Sequence, residues 1–155
     1  RTVFVFKPNN LKIDNKWPLV ADVEEKFYFK NQNETIYASP ADETPSYPHD
    51  CFPDDLDIAV GIDRIKKSTL FEFNSIDHKW SGLRTFVNDK SPVIGFENSK
   101  ENFFWLVGQG GYGIQTAPAL AEISANLILN KKNNFFLNHS TMYNISIERI
   151  RNEIL

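Results

Sequence analysis

The sequence predicts an α+β fold, in which a mixed or antiparallel sheet with one packed helix is followed by a strand, a glycine-rich loop and a second helix. Two observations lead to this prediction. Short runs of aromatic and β-branched residues fill much of the first half, and one stretch with apolar residues at helical spacing follows them. Further along the chain, a five-residue apolar run passes directly into closely spaced glycines and then into a long apolar stretch.

The first half reads as strands and one long loop. A turn at residues 31–34 predicts a hairpin from about residue 27 to residue 38. Residues 39–53 carry four prolines, which exclude a regular element and predict a loop. The expected strands are Thr2–Phe6, 17–21, 26–30 and Thr35–Ser39.

One helix is expected after this loop, from about residue 54 to residue 67. Acidic residues crowd its first turn and two lysines its last, which suits the helix dipole at both ends. Its apolar face would consist of Leu56, Ala59, Val60, Ile62 and Ile65.

The remaining elements alternate strands with turns and end in helices. Strands are expected at 69–77, 79–86 and 92–96, and the fully apolar run 103–107 predicts a strand buried on both faces. Residues 114–129 predict a helix that is apolar nearly all round and therefore buried on most sides. A short helix from Ser146, as its N-cap, to about Asn152 is expected in the tail.

Composition excludes several classes of protein. The chain has 155 residues, of which 41% are hydrophobic and 24% charged, as in an average globular domain. The formal charge of −3 and the absence of a basic block argue against a nucleic-acid binder, and no apolar run is long enough to cross a bilayer. Cys51 stands alone and the three histidines are scattered, so neither a disulfide nor a metal site is expected.

The glycine-rich loop is the segment of the chain that most suggests a ligand site. Glycines 108, 110, 111 and 113 permit positive φ, and a helix N-terminus offers N–H groups and a partial positive charge. The loop is not a P-loop, and the G-x-G-x-x-G reading from Gly108 to Gly113 lacks the acidic residue about 20 positions later that a dinucleotide site uses. Two interpretations stay open at this point, a ligand site and a tight turn that needs glycine for its geometry alone.

Three stretches in combination resemble the C-terminal half of the flavin-dependent glycine/D-amino-acid oxidase family, which includes sarcosine oxidases and D-amino-acid dehydrogenases. The resemblance covers roughly residues 1–130. The stretches are Trp80-Ser-Gly-Leu-Arg-Thr-Phe86, then Asn88-Asp89 with Pro92-Val-Ile-Gly95, then Phe103-Phe-Trp-Leu-Val-Gly-Gln-Gly-Gly-Tyr-Gly-Ile-Gln-Thr-Ala-Pro118.

The resemblance implies roles for particular residues. Arg84 falls at the position of the family's substrate-carboxylate arginine, although from the sequence alone a partly buried ion pair is the alternative. Tyr28 and Tyr47 are candidate substrate-pocket residues, with packing as their alternative role, and no catalytic acid or base is assigned. The residues implied to contact the flavin of FAD are Gly108, Gln109, Gly110, Gly111, Tyr112, Gly113, Ile114 and Gln115.

The resemblance also implies a division of the chain and a function. Residues 1–97 would be part of a substrate-binding domain, 98–130 the last strand and helix of an FAD-binding domain, and 131–155 a C-terminal tail. The family's N-terminal dinucleotide-binding unit has no counterpart here, so we expect a piece of a longer cytoplasmic enzyme that does not hold FAD by itself. The implied reaction transfers a hydride from the α-carbon of an amino acid or N-substituted glycine to flavin N5. The alternative is a non-catalytic module of this fold that binds a ligand or a partner.

Overall fold

The computed structural model describes residues 1–131 and 139–151, which form two compact units that divide between Leu83 and Arg84. The described elements are seven strands and four helices, and all strand pairs are antiparallel, so the fold is α+β as predicted. The domain boundaries expected at residues 97 and 130 stay predictions, since compactness within one chain does not show which parts of a larger fold these residues build. In chain order the elements are β1 (Thr2–Phe6), β2 (Val20–Ala21), β3 (Tyr28–Gln32), β4 (Thr35–Ser39), α1 (Asp55–Ser68), β5 (His78–Ser81), β6 (Val93–Phe96), β7 (Phe104–Val107), α2 (Gly113–Ile128), α3 (His139–Ile145) and α4 (Ile147–Arg151).

The first unit is a five-stranded sheet covered on one face by α1. The strand order is β2-β3-β4-β1-β5, and the β3–β4 hairpin is confirmed, with Asn33 in the left-handed conformation that its two-residue turn requires. The strand expected at 17–21 shortens to β2, because Pro18 has no N–H to donate to a neighbouring strand. The core cluster of the sheet and helix comprises Phe4, Phe6, Phe27, Phe29, Ile36, Ala38, Ile58, Ile65, Phe71 and Phe73.

Helix α1 confirms the prediction made from its charges and spacing. Asp54 is the N-cap, and its carboxylate accepts a hydrogen bond of 2.7 Å from the Leu56 amide. Ile58, Gly61 and Ile65 form its buried face. Leu56, which was expected on the apolar face, is 72% exposed, because it lies about 200° around the helix from Ile58.

The strand expected at 69–77 is wrong. Phe71 and Phe73 are buried as the alternation indicated, and the Phe73 ring stacks on Phe6 with centroids 3.8 Å apart. The segment nevertheless forms no strand among the described residues. The Asn9 amide of a loop donates to the Glu72 carbonyl at 2.7 Å, and a single bond from the Asp77 amide reaches the Val5 carbonyl of β1 at 2.8 Å. Alternating burial therefore came from packing and not from a ladder of strands.

The second unit is a β6–β7 hairpin on which α2 and α4 pack. Its core consists of Ile94, Leu120 and Ile123, supported by partly buried residues of β7, α2 and α3. A parallel bridge between Ile94 and Ser146 joins the start of α4 to β6. Within the described residues, no helix is long and apolar enough to span a membrane.

Three expectations about residues 79–129 are corrected. The strand expected at 79–86 ends at Ser81, so Arg84 lies in an irregular segment. The run 103–107 is not buried on both faces, since Leu106 is 42% exposed, and α2 buries only Leu120, Ile123 and Ser124. Both differences have one cause, because β7 pairs with β6 alone in the described part of the chain, and two strands cover little of an apolar helix.

The tail differs from the expected one. A helix does follow Ser146, but its buried hydroxyl has no hydrogen-bond partner among the described residues, so the prediction of Ser146 as an N-cap is wrong. Helix α3 was not foreseen. Residues 132–138, which belong to the expected C-terminal tail, and Asn152, the expected end of the last helix, lie outside the described residues.

Candidate functional site

The glycine loop connects β7 to α2 through two residues with positive φ. Gly108 has φ of +72° and Gly110 has φ of +55°, a conformation that side chains with a Cβ rarely adopt. The amide of Gly110 donates to the Thr85 carbonyl at 3.0 Å, which ties the loop to the segment that carries Arg84. The loop is thus a fixed turn and not a loose connection.

The two central glycines of the loop face different surroundings. A Cβ on Gly110 would lie 2.5 Å from the Phe86 ring, so this position is closed by the protein's own packing. A Cβ on Gly111 would meet no atom within 4 Å. Gly111 therefore exposes backbone that a ligand can approach, whereas Gly110 is required by the fold itself.

The first turn of α2 carries no acidic side chain. Tyr112 is the N-cap residue and makes no side-chain capping bond. No carboxylate of this turn therefore offsets the partial positive charge of the helix N-terminus. Ile114 in this turn is 97% exposed, and Tyr112, Gly111 and Gln115 are exposed as well, which leaves an apolar surface beside the amides.

Arg84 lies in the same unit as this loop. Its side chain is exposed, and the two residues after it make the contacts just described, Thr85 through its carbonyl and Phe86 through its ring. Arg84 and the loop thus belong to one local arrangement. Its role as the substrate-carboxylate arginine and the alternative of a partly buried ion pair both stay predictions.

The two candidate tyrosines belong to the first unit. Tyr28 is half-buried on β3, where it is paired with Ser39 of β4. Tyr47 is 90% exposed in the proline-rich loop. Their roles as substrate-pocket residues stay predictions.

An arginine of the tail that the sequence did not single out is buried beside the turn before β6. Arg149 of α4 is 6% exposed, and its guanidinium bonds both carboxylate oxygens of Asp89, Nε to Oδ2 at 2.7 Å and Nη2 to Oδ1 at 3.1 Å. This pairing lowers the pKa of the Asp89 carboxyl. Sequence reasoning had no signal for it, because 60 residues separate the partners.

A second carboxylate with a depressed pKa lies at the β6–β7 turn. Glu97 accepts hydrogen bonds from the Trp105 indole at 3.0 Å and from the amide and hydroxyl of Ser99, and it pairs with Arg151. The Trp105 bond, then the Ser99 bonds, lower the pKa of Glu97 to about 2. In residues 1–131 and 139–151, no three His, Cys, Asp or Glu side chains are placed to hold a metal ion.

The candidate site thus consists of a hairpin strand, a glycine turn and a helix start whose N-cap residue makes no side-chain capping bond. A family model described as FAD dependent oxidoreductase matches residues 1–127, most of the chain. The chain belongs to this family, and the resemblance found in its motifs is confirmed.

One relative adds a weaker similarity. The chain is 36% identical over 58 residues to a protein named glycine oxidase from Bacillus licheniformis. The matched segment is 37% of this chain and 16% of that protein. The chain thus matches a small part of this curated relative.

Proposed function

We propose that this chain forms part of an FAD-dependent oxidoreductase that oxidises an amino acid or an N-substituted glycine. Family membership supports the cofactor and the class of reaction, and the similarity to a glycine oxidase supports the class of substrate. When bound, FAD supplies the hydride acceptor, flavin N5, for the hydrogen on the substrate α-carbon.

The glycine loop fits a flat, electron-accepting ring. Gly111 leaves its backbone open to close approach, and the N-cap residue Tyr112 makes no side-chain capping bond to the first amides of α2. A helix N-terminus stabilises negative charge, and a reduced flavin gains negative charge at one edge of its ring. The residues that we propose contact the ring are Gly108, Gln109, Gly110, Gly111, Tyr112, Gly113, Ile114 and Gln115.

Arg84 would bind the substrate carboxylate. Its planar guanidinium can donate two parallel hydrogen bonds to a carboxylate, which fixes orientation as well as position. The bond from the Gly110 amide to the Thr85 carbonyl holds the backbone next to Arg84 against the loop. Connected backbone segments would thus orient both the substrate and the flavin ring. Holding two reactants in the correct geometry lowers the activation barrier of the reaction. No side chain needs to act as a base if the amine binds unprotonated.

An N-terminal FAD-binding portion outside this chain is the partner we propose for the apolar surface of the second unit. β7 pairs with one strand only among the described residues, and α2 buries few of its apolar side chains. Five large apolar residues of this surface are substantially exposed: Phe103, Leu106, Ile114, Ile128 and Leu129. Strands added beside β7 would cover this surface and complete a sheet.

The test is anaerobic reduction of the purified full-length protein by candidate substrates. We expect bound FAD whose visible absorption is bleached by glycine, sarcosine or a D-amino acid, and not by the corresponding amines without a carboxylate. A protein that contains no flavin would instead support the non-catalytic module. A flavoprotein that no amino acid reduces would contradict the proposed substrate class.

A further inference from the structure

The buried guanidinium of Arg149 donates hydrogen bonds to two residues of the turn before β6, Asp89 and Ser91. Besides its two bonds to Asp89, its Nη2 donates to the Ser91 carbonyl at 2.8 Å and its Nη1 to the Ser146 carbonyl at 2.9 Å. Asp89 in turn accepts from the Ser91 amide at 3.0 Å. Both the N–H and the C=O of Ser91 are therefore held, one by Asp89 and the other by Arg149.

The backbone of Ser91 and Pro92 lies against Gly108, the first glycine of the loop, and we call these two residues the wall. A Cβ on Gly108 would lie 3.7 Å from the Ser91 carbonyl oxygen and 3.8 Å from the Pro92 Cα. Gly108 is buried and has positive φ, so the path of the loop begins against this wall. A shift of Ser91 would change the surface that Gly108 packs on.

Residues 146–151, which we call the C-terminal clasp, are attached to β6 as well. Ser146 bridges Ile94, and a Cβ on Gly95 would meet the Ile147 side chain at 3.3 Å. The same helix carries Arg151, which pairs with Glu97 at the opposite end of the β6–β7 hairpin. Within the described residues the clasp bears two ion pairs, and of these the Arg149 pair reaches Ser91 beside Gly108.

We propose that Arg149 is a positioning residue for the glycine loop: through Asp89 and Ser91 it holds the wall against which Gly108 sets the loop. The consequence for the cofactor rests on the proposed function, because it assumes that the loop contacts FAD. A buried ion pair is not by itself a reason for stability, since desolvation offsets much of the attraction. Four directional bonds from one guanidinium, two of them to backbone carbonyls, do specify the geometry of the turn.

The test compares Arg149→Met with Arg151→Met in the full-length protein. Both changes remove one ion pair from the same helix, so the second is the matched control for loss of stability. Amide hydrogen exchange of residues 108–112 is measured without FAD, and the FAD dissociation constant and the melting temperature are measured beside it. We expect Arg149→Met to speed exchange in the loop and to weaken FAD binding, each by about tenfold or more, because small displacements at a site cost large factors.

The control and a second variant make the outcome decisive. Arg151→Met is expected to lower the melting temperature without changing loop exchange or FAD affinity. Asp89→Asn keeps the size of the side chain and replaces Arg149→Met if that variant fails to fold. Asp89→Asn is expected to speed loop exchange as well. Arg149→Lys is expected to give an exchange rate between those of the unchanged protein and Arg149→Met.

Equal loop exchange in the Arg149 and Arg151 variants would overturn the proposal, leaving Arg149 a structural ion pair only. If the unchanged protein binds no FAD, the proposed function fails, while the exchange comparison still decides whether Arg149 positions the loop.

Discussion

Arg84 carries the most specific chemical role in the proposed site. Replacing it by alanine removes both the charge and the two parallel donors, whereas lysine keeps the charge alone. A charge-assisted hydrogen bond contributes on the order of 1.5–3 kcal/mol, so Arg84→Ala should lower kcat/KM by roughly ten- to a hundredfold, with Arg84→Lys between. The measurement is kcat/KM for an amino acid and for its decarboxylated amine, together with the melting temperature.

The two substrates separate an anchor from a structural residue. An anchor loses activity on the amino acid and little further activity on the amine, with the melting temperature unchanged. Equal losses on both substrates would show that Arg84 does not bind the carboxylate.

Gly110 and Gly111 are adjacent but should respond differently to a side chain. Gly110→Val drives its side chain into the Phe86 ring at a positive φ, and overpacking of this kind costs at least about 1–3 kcal/mol of the free energy of unfolding. Gly111→Val meets open space and should leave the melting temperature near that of the unchanged protein while lowering flavin retention. Thermal melts of the FAD-free proteins and flavin occupancy after gel filtration measure the two effects. Full flavin occupancy and normal turnover in Gly111→Val would leave the loop as a turn only.

Among the helices and strands, the sequence predicted those that depend on signals between residues close in the chain. Helix α1 was predicted from the Asp54 cap and the charges at its ends, and the β3–β4 hairpin from its turn, because these signals act between residues close in the chain. The strand expected at 69–77 failed, since alternation reports burial and not which backbone a segment bonds to. The Arg149–Asp89 contact could not be predicted for a related reason: a pair of opposite charges 60 residues apart has no pattern in the sequence.

The β6–β7 hairpin should show an acid-sensitive stability that depends on Glu97. Its pKa is lowered to about 2 in the folded state from an ordinary value of 4.5. A depressed pKa stabilises the fold fully above the ordinary value, and that contribution is lost as the pH falls from about 4.5 through about 2. Glu97→Gln should therefore flatten the dependence of melting temperature on pH in this window. Glu122→Gln, a change on the exposed side of α2, serves as the control, and an unchanged slope in Glu97→Gln would refute the assignment.

For the whole molecule, we expect the chain of 155 residues, purified alone, to be colourless. The proposed N-terminal portion would supply the remaining contacts to the dinucleotide, and the exposed apolar surface of β7 and α2 is where we propose that it packs. The measurement is the visible spectrum after incubation with FAD and gel filtration. Flavin bands that remain with the protein would show that these residues hold the cofactor without an N-terminal portion.

Membership of the FAD-dependent family could be predicted from motifs that the structure later placed in one unit. The strands β6 and β7 separate Arg84 and the turn before β6 from the glycine loop in the sequence, yet hydrogen bonds and packing connect all three. What the sequence could not predict was the exposure of α2. The apolar composition of α2 predicted a buried helix. Composition does not tell whether the surface that covers this helix lies within these 155 residues.

The hydrogen bond from the Gly110 amide to the Thr85 carbonyl has a practical consequence for anyone redesigning the substrate range. Because of this bond, changes at position 84 and changes at positions 85–86 have different consequences. In the proposed site, exchanging the side chain at position 84 would change the group that binds the substrate and would leave the peptide that tethers the loop in place. Insertions, deletions or a proline at 85–86 would move that tether, so a library aimed at new substrates should diversify position 84 and keep the backbone after it intact.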